Sequence, residues 1–265
     1  MTLMTKLRII RLLLTVVFVI GVILFSSGFF IGCSDEKEEL SITNVNADEK
    51  GKGEVETRIL SVGTFYGVDL ASFPNVRITQ GNTQLVKAIG SGDVIAQIKA
   101  TVISNVLKIE MENSSYTNSQ LSIDITIPSI NFLSVSGSGD MHINDFDNQD
   151  SLSVKMVGSG ELHLNKFEGI EQMYVTITGS GIFQAKEDIE TLNNLALVNS
   201  GSGSYCGFDI VCDNADVKSA GSGKSEVNVR AKLKATIQGA GNVYYKGNPV
   251  ITKVDRGTGS LINAN

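Results

Sequence analysis

The chain has 265 residues, a formal net charge of −6 and a pI near 5.0, with 27 Gly, 3 Pro and no Trp. An acidic chain without a Lys/Arg cluster argues against nucleic acid as a partner, because phosphate binding needs concentrated positive charge. Beyond any leader, the length is that of one domain, ample to bury a core.

Residues 1–32 read as an export leader. Lys6, Arg8 and Arg11 form its basic end, and Leu12 to Phe25 is a nearly uninterrupted apolar run. It closes on Phe30-Ile31-Gly32-Cys33, where small Gly32 before Cys33 resembles the lipobox of bacterial lipoproteins. In that motif the cysteine is lipidated and becomes the mature N-terminus. Phe30 and Ile31 depart from the usual Leu and small residue. The alternative is an uncleaved membrane helix, since Leu12 to Ile31 is long enough to span a bilayer. Ser26-Ser27-Gly28 weakens such a span, and polar sequence begins abruptly at the cysteine. Both readings place the domain outside the cytoplasm, the first with a lipid anchor in the membrane.

Residues 33–54 form an acidic tether. Ser34-Asp35-Glu36-Lys37-Glu38-Glu39 and the polar stretch behind it cannot bury enough apolar surface to fold alone. An acidic run behind a lipidated cysteine also resembles the surface-export signal of some Gram-negative lipoproteins. The expected location is therefore the outer membrane, with the domain exposed at the surface.

The domain itself, residues 55–265, opens with alternating runs such as Val76-Arg77-Ile78-Thr79, Leu107-Lys108-Ile109-Glu110 and Leu121-Ser122-Ile123-Asp124-Ile125. Gly81-Asn82, Asn113-Ser114 and Pro128 punctuate them. This portion predicts irregular first coils and a cap, with Gly90-Ser91-Gly92 a degenerate member of the repeat that follows.

From there one tripeptide recurs: Gly137-Ser138-Gly139, Gly158-Ser159-Gly160, Gly179-Ser180-Gly181, Gly201-Ser202-Gly203, Gly221-Ser222-Gly223, Gly239-Ala240-Gly241 and Gly257-Thr258-Gly259. Successive first glycines (158−137, 179−158, 201−179, 221−201, 239−221, 257−239) are 21, 21, 22, 20, 18 and 18 residues apart. That is the period of a stacked supersecondary unit. Each tripeptide is flanked by period-two alternation, as in Leu152, Val154 and Met156 before it and Leu162 and Leu164 after it, so each unit is two short strands around a corner. Glycine is expected there for positive φ and for lack of room.

The fold class is thus all-β: a single-domain, right-handed parallel β-helix with rungs of about 20 residues, behind the signal peptide and tether. Seven rungs at ~4.8 Å spacing would make a rod about 35 Å long. A β-propeller blade needs about 40 residues, and the Leu frame with an Asn column of leucine-rich repeats is missing.

Four segments carry a family resemblance: Val62-Gly63-Thr64-Phe65, Val76-Arg77-Ile78-Thr79-Gln80-Gly81, Ser134-Val135-Ser136-Gly137-Ser138-Gly139-Asp140 and Tyr245-Lys246-Gly247-Asn248-Pro249. Together, over roughly Val62 to Ile262, they resemble the auto-transporter adhesin head domain, also called the head GIN domain. The resemblance implies a right-handed β-helix on a secreted or surface lipoprotein. It brings no catalytic residues.

Three residues past each tripeptide stand His142, His163, Gln184, Cys206, Glu226 and Tyr244, an outward column if the rungs stack in register. His142 and His163 would then be close enough to share a metal, although two ligands are too few, and the plainer reading is a pair of polar residues on a strand face. Asp140 and Glu161 would stack as like charges. Cys206 and Cys212 are the two cysteines left beside Cys33. In an oxidising compartment they would either close a small disulfide loop or stay as two thiols.

Polysaccharide-cleaving enzymes also use parallel β-helices, which makes a lyase or hydrolase the competing class. Such enzymes need converging acidic or acidic and basic groups, whereas Asp140, Glu161, Lys224 and Arg230 fall on different rungs and columns. The expected function is non-catalytic binding or adhesion at the envelope, with no cofactor and an unnamed glycan or protein as ligand.

Overall fold

The computed structural model describes residues 53–112, 120–186 and 189–265. The leader, Cys33 and nearly all of the tether, with the Asn113-Ser114 turn, lie outside the described residues. The domain is a nearly all-β solenoid of about 6 turns, with rungs of about 21 residues.

In chain order the elements are β1 (Val55–Ile59), β2 (Gly67–Leu70), β3 (Asn75–Gln80), β4 (Leu85–Ser91), the single helical turn α1 (Gly92–Ile95), β5 (Ile98–Ile103), β6 (Val106–Met111) and β7 (Leu121–Ile127). Then follow β8 (Phe132–Val135), β9 (Met141–Ile143), β10 (Ser151–Met156), β11 (Glu161–Leu164), β12 (Gln172–Ile177) and β13 (Ile182–Ala185). The last are β14 (Ile189–Asn199), β15 (Ser204–Ser219), β16 (Ser225–Ile237), β17 (Val243–Lys246), β18 (Val250–Asp255) and β19 (Leu261–Asn263).

From β8 onward every pairing of the described strands is parallel, with register shifts between Ile189 and Leu192 of β14 and, in β15, between Gly207 and Val211 and between Cys212 and Asn214. On one side β8, β10, β12, β14, the second half of β15, the second half of β16 and β18 lie side by side. On the next side the order is β9, β11, β13, the first halves of β15 and β16, then β17 and β19. A shorter third side is marked by the parallel bridge Phe146 to Phe167 and the pairing of Ile189 with Ile210. Alternation turns one residue in two inward, and the buried residues Leu152, Val154 and Met156 repeat in the next rung as Met173, Val175 and Ile177. Aromatic rings stack along the axis inside: Phe146 on Phe167 with centroids 5.3 Å apart, and Phe183 on Tyr205 at 4.9 Å.

The corners correct one expectation. Among the described glycines only Gly169 and Gly247 have a positive φ, so the tripeptide glycines are not there for left-handed backbone. They are there because corners lie directly on one another. A Cβ on Gly158 would overlap the carbonyl oxygen of Gly137, and one on Gly179 that of Gly158; the same holds for Gly201 on Gly179, Gly221 on Gly201, Gly239 on Gly221 and Gly257 on Gly239. The second glycines repeat the pattern, Gly160 on Gly139, Gly181 on Gly160, Gly203 on Gly181, Gly223 on Gly203, Gly241 on Gly223 and Gly259 on Gly241. That approach lets Ser159 N donate to Gly137 O at 3.0 Å, Ser180 N to Gly158 O at 3.1 Å and Ser222 N to Gly201 O at 3.0 Å. A side chain would force those bonds apart.

The N-terminal end breaks chain order. Strand β2 lies between β6 and β8, and β3 between β7 and β9, all parallel. The chain therefore lays down one rung (β2, β3), turns back to build the next rung outward (β6, β7), and returns to continue from the first with β8. The corner beneath Gly137 and Gly139 is supplied by Ser72, Phe73 and Pro74, so this rung carries no tripeptide. Antiparallel strands close the end: β5 on β6 through a two-residue turn with Ser104 and Asn105 both at positive φ, and β4 on β7, with β1 on β4. Gly90-Ser91-Gly92 belongs to this cap, at the β4–α1 junction, and is not a member of the corner column. Ala88, Val94, Ile95 and Leu121 form a small cluster there, separate from the main core.

Candidate functional site

The register fixes which outward side chains become neighbours. His142 stands beside His163, then come Gln184, Cys206, Glu226 and Tyr244, with Arg77 of β3 on the other flank of His142. The two imidazoles stack face to face, centroids 4.6 Å apart and planes 11° apart. His163 Nε2 lies 3.1 Å from Glu161 Oε2, and the Glu161 backbone N–H donates to Asp140 Oδ1 at 2.9 Å. Asp140 thus caps the start of β11.

Burial, with the adjacent imidazole second, lowers the pKa of His142. Burial and then Lys186 lower that of His163 despite the nearby carboxylate. Both rings are therefore neutral at pH 7, and His163 donates its Nε2–H to Glu161. Glu161 is raised above the usual carboxylate range by burial and by Asp140. Among the described residues no group of three or more His, Cys, Asp or Glu has the arrangement to hold a metal ion.

The cysteines do not pair with each other. Cys212 is a free, buried thiol, so a Cys206–Cys212 disulfide is excluded. The chain changes sides between them. Cys206 sits in the outward column between Gln184 and Glu226, whereas Cys212 lies on the following side, paired with Leu192 and Val229, its Sγ 3.5 Å from Asn228 O. Burial pushes its thiol up to about 12, which leaves it protonated and inert at neutral pH.

Of the groups weighed for catalysis, Asp140 and Glu161 lie together, and the basic Lys224 does not join them. Lys224 is tied to Glu226 at 2.7 Å, several rungs from Asp140 and Glu161. No described helix is long and apolar enough to cross a membrane.

A second outward surface lies on the other long side, and the sequence reading missed it. Gln172, Asn194, Asn214 and Lys232 form one column; Tyr174, Ala196, Asp216 and Lys234 form the next column but one along the strands. Between the half-exposed Tyr174 (52%) and the Asp216–Lys234 ion pair at 2.7 Å, the single methyl of Ala196 leaves a trough of about 290 Å³. Counting back five and seven residues from each first glycine would have found both columns. The tripeptide drew attention forward instead.

Set against known families, residues 64–249 match the family described as "Putative auto-transporter adhesin, head GIN domain". The chain belongs to that family. A solved structure from Bacteroides fragilis, titled a "putative adhesin", is similar to this head GIN domain with a TM-score of 0.69 and 25% identity, covering 79% of this chain and 97% of that one. One from Parabacteroides merdae, also titled a "putative adhesin", has a TM-score of 0.64 at 16% identity, covering 81% and 98%. One from Parabacteroides distasonis, titled a "Putative lipid binding protein", has a TM-score of 0.63 at 21% identity, covering 81% and 98%. The last two speak for the fold alone. No curated protein matches the chain.

Proposed function

We propose that this head GIN protein is a non-catalytic lipoprotein of the Gram-negative envelope whose β-helix serves adhesion. Residues 1–32 are removed as a signal peptide, Cys33 carries the lipid, and residues 33–54 tether the domain at the outer-membrane surface. The domain offers its long, polar sides to a glycan or protein. The observation that carries this reading is the register-true repetition of outward columns in a member of an adhesin family: polar groups recur rung after rung rather than converging on one reacting point. Many weak contacts of that kind act through multivalency.

Two experiments test it. Cys33→Ala should abolish lipid labelling and the processed form; unchanged membrane association with an uncleaved leader contradicts the anchor. Single alanine changes at Asp140, His142, Glu161 or Lys224 should leave cell adhesion nearly intact, whereas replacing a whole outward column should lower it in steps. One substitution that eliminates function in a folded protein would instead mark a discrete catalytic site.

A further inference from the structure

We propose that the trough over β12, β14, β15 and β16 is a carbohydrate subsite that holds two or three linked pyranose rings, with Tyr174 as the stacking platform. The inference deepens the adhesive reading and rests on it. A pyranose has an apolar C–H face and a rim of hydroxyls that both donate and accept. It therefore asks for an exposed aromatic ring beside planar groups with the same dual capacity. The trough supplies both. Tyr174 is the most exposed aromatic side chain among the described residues, at 52%, and it stands at one end where Ala196 beside it leaves room for a ring.

The amides line the adjacent column. Gln172, Asn194 and Asn214 stand in register, and Asn214 Nδ2 donates to Asn194 Oδ1 at 3.3 Å, which orients the pair and leaves further amide donors and acceptors toward the trough. Lys234 is neutralised by Asp216, so the floor carries a compact, oriented charge pair rather than a naked charge. Lys232 continues the amide column and makes no ion pair among the described residues, leaving its ammonium donors for hydroxyls or a sugar carboxylate. Three strand spacings separate β12 from β16, about 14 Å, which suits a short oligosaccharide rather than a single ring. The strands beneath are central rungs, so the platform is rigid where a loop would not be.

Saturation-transfer NMR on the full chain tests this with four probes: maltotriose, cellotriose, mannotriose and trigalacturonate. At least one should receive saturation, with Tyr174→Ala weakening it about tenfold and Ala196→Gln, which fills the trough, abolishing transfer. His142→Ala, on the other side, should leave it unchanged. No transfer to any of the four, or transfer untouched by both trough variants, overturns the proposal. Adhesion of cells displaying the same variants is read in parallel. Adhesion that survives while the trough proves empty sinks this subsite and leaves the adhesive reading standing; loss of adhesion in wild type sinks both.

Discussion

The two ends of this domain solve the same problem differently. In the repeats from β8 onward, each rung finds its partner one period away in sequence, and the tripeptide corner writes that period into the chain. At the N-terminal end the partner of β8 is β2, and side chains secure a junction that the chain does not make by itself. Ser136 Oγ donates to Asp69 Oδ1 at 2.8 Å and Asn144 Nδ2 to Thr79 Oγ1 at 2.9 Å. Gln80 bridges further, donating to Pro128 O at 3.1 Å and Asp147 O at 2.9 Å while accepting from Asp147 N at 2.9 Å. Where repetition no longer supplies the register, specific polar contacts do. The ends also differ in closure: antiparallel strands cover the first, whereas β18 is exposed, Val250 at 74%. Lys253 and Asp255, paired at 2.6 Å, put charge on that edge and discourage unwanted pairing.

The largest effects should come from the repeat corners. Gly179→Val or Gly181→Val places a branched side chain into the carbonyl beneath, and urea denaturation should show a loss on the order of 3 kcal/mol or failure to fold. Gly247→Val should be as severe, because Gly247 combines φ +90° with a Cβ position overlapping Val229 O. Gly247 is a loop glycine in sequence, yet its close approach to Val229 O makes it as intolerant of a side chain as a corner. Phe183→Ala, which removes a ring stacked on Tyr205 in the central core, should cost about 3–5 kcal/mol.

At the out-of-order junction the expected losses are smaller. Gln80→Leu removes three hydrogen bonds between distant segments and should cost about 1–2 kcal/mol. A loss as large as at Gly179 would mean that the two ends do not differ as described. The histidine pair gives a pH signature. Both folded-state pKa values lie below the unfolded value near 6.5, so the unfolded chain binds these protons first. Their contribution is full above about pH 6.5 and is lost as pH falls toward the folded values. Glu161, raised in the folded state, runs the other way: it favours folding below its ordinary pKa and loses that contribution as pH rises through the raised value. The double change His142→Gln with His163→Gln should therefore flatten the fall of Tm between pH 7 and 5; an unaltered slope contradicts the assignment. Smallest of all, Gly63→Ala meets nothing within 4 Å and should change stability by no more than about 0.5 kcal/mol.

The same contrast explains what the sequence disclosed. A period of about 21 residues with alternating strands makes rungs, corners and the His142–His163 neighbourhood readable, because stacking only requires that like positions meet. Three things were hidden. The return of β6 and β7 to the outer side of β2 and β3 rests on long-range pairing, and no local signal marks it. Of the two reasons read for the glycines, lack of room holds and positive φ does not, and what fills the room is the carbonyl of the adjacent rung, which no local signal names. Cys206 and Cys212 were close in sequence, yet the register shift between Gly207 and Val211 puts them on different sides, Cys206 buried in the outward column and Cys212 in the core. Of the surfaces, the column after the tripeptide was read and the columns before it, with Tyr174 and the amides, were not.

The order and register of the rungs determine every outward column, and paired-cysteine cross-linking measures both at the point where chain order and spatial order disagree. Asp69 and Ser134 are direct partners in the β2–β8 pairing, whereas Lys108 of β6 lies on the far side of β2 from Ser134. The double variant Asp69→Cys with Ser134→Cys should form a disulfide readily under mild oxidation. Lys108→Cys with Ser134→Cys should not, since two strand spacings, about 9.6 Å, exceed the reach of the bond. The reverse pattern, with 108 linking to 134 and 69 failing, would mean that rungs stack in simple chain order and would contradict the fold from which the outward columns are drawn.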